Sequence, residues 1–293
     1  MSRSKREVNP TAPASRRVLW QRPVVRLALA VAAVAVVRFG LRLGLGAGLA
    51  TLFRAWNVRA DNAQLAPAWA RLLYVWQGSV VTLLVNLAVI GLCVWGFHVR
   101  VERPRGGLPL VCFAAGACAA LLSAALFLLT DSLRLLWPIG EPRLSAGLWA
   151  LGILSLIGAL AESVFTKGLV YERARRWGIL PAMALSTLAF FLSSGGYAGS
   201  VISGINVALM GLLGCLVYER HGLWADVMLR WGWSFAAVFL LGQGGGDRAV
   251  YRLYGVSETL LTGGDGGLVY GLWLTLLLAA AIGICAKRTS RKA

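Results

Sequence analysis

Seven stretches of this chain have the length of about 20 residues that a helix needs to cross a bilayer core, and they hold few or no charges. They lie near 72–97, 107–130, 148–171, 180–199, 201–218, 223–243 and 267–286, and an eighth starts near Val24. In hydrocarbon every backbone N–H and C=O must be satisfied within the protein, so runs of this kind are helices. An all-α, polytopic transmembrane bundle of about eight helices is therefore expected. Composition agrees, with 58% hydrophobic and 14% charged residues, a balance foreign to water-soluble domains. Arg38 and Arg42, four apart on one helix face, interrupt the first run and leave its span the least defined.

The net charge of +17 would suggest nucleic acid in a soluble protein. Here the basic residues flank apolar runs, which makes them orientation signals with anionic lipid as counterpart, and no nucleic-acid partner is expected. Counted on alternate sides of eight spans, one side carries 19 Lys and Arg and the other seven. The richer side holds both ends, so both termini are expected in the cytoplasm. Residues 1–23 read as a disordered basic tail too polar for a secretory signal, 24–286 as the transmembrane domain, and 287–293 as a second basic tail. Trp and Tyr near helix ends, such as Trp137, Trp177, Tyr218 and Trp224, suit the interface. Five cysteines lack paired spacing and read as small apolar residues. A strong excess of Arg over Lys, with abundant Ala, Leu and Gly, points to a bacterial chain, and the expected location is the inner (plasma) membrane.

Ionisable residues inside spans are costly and mark sites. Glu162, Lys167, Asp226 and Arg230 qualify. Lys167, one turn from a helix end, is expected to extend its ammonium to the interface. With a rise of about 1.5 Å per residue from the cytoplasmic helix ends, Glu162 sits roughly 15 Å deep, Arg230 about 12 Å and Ser194 about 21 Å. Three helices would thus offer polar groups at similar depth. Arg230 is the natural partner of Glu162, and Asp226, four residues earlier on the same face, competes for it or shares it. A structural ion network of Glu162, Asp226 and Arg230 is the expected outcome. The sequence Leu-Val-Tyr-Glu-Arg also occurs twice, at 169–173 and 216–220, each at an expected cytoplasmic helix end.

Residues 162–168, Glu-Ser-Val-Phe-Thr-Lys-Gly, then Phe190 to Ser194, then Arg230 to Ser234, form an ordered set. This set resembles the site of the CAAX-protease and bacteriocin-processing (CPBP, also called Abi) family of intramembrane metalloproteases, written Glu-Glu-x-x-x-Arg-Gly, Phe-x-x-x-His and His-x-x-x-Asn. The family core would cover about 148–243. The resemblance implies a helical bundle with a metal-centred hydrolytic site, yet only Glu162 keeps a ligand type. Ser163 replaces the second glutamate, Lys167 the arginine, Ser194 and Arg230 the histidines, and Ser234 the asparagine. A catalytic metal needs about three protein ligands. The two histidines, His98 and His221, fall at expected helix edges.

No metal, no other cofactor and no catalytic residue are therefore expected. The leading reading is an inactive relative, a pseudoenzyme acting as scaffold or accessory subunit beside another integral membrane protein. Its close-approach surface would be Gly44-x-Gly46-x-Gly48 or the region of Gly211 and Gly214. Two alternatives stay open: an endopeptidase of the same family with a relocated site, with Glu162 as general base beside Ser194, and a transporter.

Overall fold

The computed structural model describes residues 23–58, 67–104, 106–130, 133–136, 146–194, 200–242, 252–255 and 268–290. Among the described residues eight α-helices are twelve residues or longer: α1 Pro23–Ala55, α2 Ala68–Gly91, α3 Leu108–Leu129, α4 Ala146–Ser163, α5 Ile179–Ser194, α6 Val201–His221, α7 Leu223–Ser234 and α8 Leu272–Ser290. Among the described residues five helical segments are long and apolar enough to cross a membrane: Pro23–Ala55, Ala68–Gly96, Leu108–Leu129, Leu151–Trp177 and Val201–His221. The chain is a multi-pass membrane protein.

Several boundaries differ from expectation. Arg38 and Arg42 do not interrupt α1, which runs unbroken for 33 residues. Their long stems fit a helix, and a partner described below accommodates Arg38. The helix α5 ends at Ser194, and residues 195–199 of the expected span lie outside the described residues, as do residues 1–22, 291–293 and Trp137. At the other end α8 continues through Ser290, into the expected C-terminal tail. A two-stranded antiparallel ribbon, β1 Leu133–Leu136 with β2 Arg252–Gly255, was not anticipated; it pairs two segments far apart in sequence, and neither is long enough to announce itself by alternation.

Three helices extend as π-helix: α2 over Leu92–Gly96, α4 over Val164–Tyr171 and α7 over Phe235–Leu240. Such widened turns are common at functional positions. The segment after α4 carries Lys167 and is almost wholly buried.

Two glycines let α3 and α7 touch backbone to backbone. A Cβ on Gly116 would run into the Leu229 carbonyl, and one on Gly232 into the Phe113 carbonyl. The pair is reciprocal, each glycine seated on the other helix, which is how small residues bring membrane helices together. A second join lies at the α6–α7 turn. Gly222 there takes φ 81°, open to glycine at no steric cost, so α7 folds straight back along α6 and lays Asp226 and Arg230 beside Gly214.

The repeated pentapeptides meet. Tyr171 donates to Glu219 at 2.6 Å and Tyr218 donates to Glu172 at 2.8 Å, while the two rings stand edge to face with centroids 5.4 Å apart. Each copy thus holds the other's glutamate, and Arg175 adds an ion pair to Glu219 at 2.5 Å. The echo is a reciprocal clasp between the ends of two helices, beyond the pair of stop signals its sequence suggested.

Candidate functional site

Asp226 is the centre of the polar core. It sits on α7 with no exposed surface. The Nε of Arg230, one turn on, reaches both Asp226 carboxylate oxygens at 3.0 Å, and Ser163 at the end of α4 donates to Oδ2 at 2.7 Å. The aspartate–arginine pair at i, i+4 is therefore the tight one. The Arg230 guanidinium also lies over the Phe190 ring of α5, 4.0 Å from its centroid.

Glu162 is held more loosely. Its carboxylate lies 3.9 Å from Arg230 Nη1 and 3.7 Å from Arg38 Nη2 on α1. Both separations are ion pairs without hydrogen-bond contact. Arg38, whose role its sequence position left open, is thus the cation from the first helix that closes the cluster.

Lys167 does not reach the interface as expected. It is fully buried and points inward, donating to Ser186 Oγ at 3.1 Å, the Gly211 carbonyl at 3.0 Å and Cys215 Sγ at 3.1 Å. The Ser186 hydroxyl donates to the Thr166 carbonyl at 2.8 Å, which leaves its lone pairs free for the lysine. Three acceptors on α5 and α6 match the three protons of an ammonium, and that match outweighs snorkelling. Ser186, Gly211 and Cys215 gave no signal in sequence because each is small and ordinary in an apolar run. Cys215 accordingly acts as a polar acceptor as well as a small packed residue.

Ser194 does not join the group. It is exposed near the end of α5 and its hydroxyl returns to the Phe191 carbonyl at 3.2 Å. Phe190 and Ser194 share a helix face at i, i+4, but Ser194 is the last residue of α5, one turn beyond the Phe190 ring that covers Arg230. Ser234 lies in the wall of a cavity of about 130 Å³ beside the cluster, shared by Glu162, Phe190, Asp226 and Arg230. His98 and His221 are both exposed at helix edges, as expected. A further tie missed by sequence binds α6 to α8: buried Asn206 donates to the Val269 and Gly271 carbonyls and accepts from Thr275.

Residues 144–236 match the model of the Rce1-like family, type II CAAX prenyl endopeptidase Rce1-like. The matched stretch is under half of the chain and holds every member of the cluster except Arg38. No curated protein and no solved structure matches the chain.

The metal implied by the family resemblance meets an unsuitable donor set. Glu162 and Asp226 are the carboxylates of the cluster, and Arg230 already occupies both Asp226 oxygens. Its fixed positive charge repels a divalent cation. Among the described residues no three His, Cys, Asp or Glu side chains come together. The residues present do not fit a catalytic metal.

Proposed function

We propose that this Rce1-like membrane protein is catalytically inactive and works by binding, as a scaffold or accessory subunit of a membrane protein complex. The observation that carries the reading is the Arg230 guanidinium, which binds Asp226 through both oxygens at the motif position where the related metalloproteases have a histidine. An ion-paired arginine neither holds a metal nor takes up a proton from water, so hydrolysis has no engine at this place.

The surface that supports a binding role is α1. Of its 33 residues only Leu27, Ala30, Val34 and Phe53 are buried. Gly40, Gly44 and Gly48, four apart on one face, and Gly46 on the opposite face have nothing within 4 Å of a Cβ, which leaves α1 open to a close helix. The Gly211 and Gly214 region is a different case: Gly211 packs on Phe190 and Thr187, and Gly214 on Asp226 and Arg230, so it belongs to the interior. In this reading both ends of the chain face the cytoplasm and the basic flanks lie against anionic lipid of the plasma membrane.

Two assays test it together. Purified protein in lipid is expected to leave a prenylated CAAX peptide uncut. A photo-crosslinking amino acid in place of Leu43, which is 74% exposed on α1, is expected to give one discrete protein adduct in native membranes. Peptide cleavage that disappears in Glu162→Gln would overturn the inactive reading, and only lipid adducts at position 43 would overturn the docking role of α1.

A further inference from the structure

The cluster carries a charge imbalance its own members do not cancel. Three cations, Arg38, Lys167 and Arg230, face two carboxylates, Glu162 and Asp226. The three donors of Lys167 go to neutral acceptors, so it draws on neither carboxylate by hydrogen bond. On Arg230, Nε serves Asp226 and Nη1 faces Glu162, but Nη2 is buried and has no hydrogen-bond partner. A buried, unmatched N–H on a charged group is costly and calls for an acceptor.

Space for one is at hand. Arg230 and Gly214 line the cavity of about 130 Å³, and Nη2 lies 2.7 Å from where a Gly214 Cβ would stand, so the glycine keeps room beside it. The cavity is several times the roughly 30 Å³ that one water occupies in the liquid. Glu162, Asp226 and Ser234 also reach it, the two carboxylates already turned to Arg230, and the rest of its wall is apolar, with Met210, Leu213, Leu229, Trp233 and Leu278. One orphaned cationic donor at the polar end of a largely apolar cavity is the pattern of a site for an amphiphile.

We propose that this cavity binds a single-chain carboxylate amphiphile, a free fatty acid taken from the bilayer. The carboxylate accepts from Arg230 Nη2 and cancels the excess positive charge, while the chain follows Met210, Leu213 and Leu278 toward the lipid. Water alone would fill the bond and leave the charge; a cation would be repelled. The inference rests on the proposed reading that this cluster holds no metal.

Equilibrium binding of radiolabelled laurate to the full chain in phosphatidylcholine nanodiscs, measured against empty nanodiscs, tests it. Saturable binding of one laurate per chain is expected, displaced by unlabelled laurate and not by dodecanol. Ala119→Phe fills the cavity from α3 while leaving Glu162, Asp226 and Arg230 unsubstituted, and should weaken laurate at least about tenfold, with the protein still eluting as the wild type. Equal displacement by dodecanol, stronger binding of dodecyl phosphate than of laurate, or no saturable binding would each overturn the fatty-acid site. Metal content measured on the same sample separates the failures: one metal per chain removes the reading beneath it, whereas metal-free protein that ignores laurate removes only this inference.

Discussion

Replacing Arg230 by Met keeps much of the side-chain length but withdraws the cation from Asp226. The aspartate has no exposed surface; the single Nε–H of Arg230 is shared between its two oxygens, and Ser163 donates to Oδ2. Removing one partner of a buried pair leaves an uncompensated charge and costs about 3–5 kcal/mol, whereas replacing both partners with neutral groups is often close to neutral. Arg230→Met is therefore expected to lose about 3 kcal/mol, and Arg230→Met with Asp226→Asn much less than the sum of the two single changes, with a coupling of about 2 kcal/mol. Glu162→Ala, whose carboxylate is 22% exposed and no closer than 3.7 Å to either arginine, should cost only about 1 kcal/mol. Reversible unfolding in mixed micelles of dodecyl maltoside and SDS, followed by circular dichroism, measures all four. A single Arg230→Met within about 0.5 kcal/mol of wild type, or single effects that simply add, would refute a shared buried charge pair.

Lys167→Arg restores the residue type of the related metalloprotease motif, yet it should destabilise by about 1–3 kcal/mol, because a wider planar group does not fit three acceptors placed around a compact ammonium; the same unfolding assay reads it. Gly232→Leu should prevent α3 and α7 from closing, since even a Cβ there meets the Phe113 carbonyl, and the variant is expected to aggregate on gel filtration in detergent. A C-terminal fusion to green fluorescent protein should fluoresce and one to alkaline phosphatase should stay silent, since the basic residues favour a cytoplasmic end; the reverse pattern would invert the bundle.

The spans were legible because hydrocarbon permits one solution, an internally bonded helix, and 58% hydrophobic content leaves little else to read. Glu162, Asp226 and Arg230 were legible as a group for a related reason: charges in such runs need partners, and Asp226 and Arg230 are spaced one turn apart. Helix ends and rank were not legible. Nothing in the sequence says that α5 stops at Ser194, one turn past the Phe190 that covers Arg230, or that Asp226 and not Glu162 holds Arg230 tightly. Distance to the helix end points Lys167 to the interface, while its destination depends on Ser186, Gly211 and Cys215 from two other helices. Arg38 pairs with a residue 124 positions away, a contact only the packing of α1 on the bundle reveals.

The metal content of the protein, purified in mild detergent and analysed by inductively coupled plasma mass spectrometry, bears most directly on the ion-paired core. With Arg230 on both oxygens of Asp226, no stoichiometric zinc or other divalent metal should accompany the chain. One metal per chain that is lost in Glu162→Gln would contradict it, and would mean that the carboxylates serve a metal that Arg230 yields to.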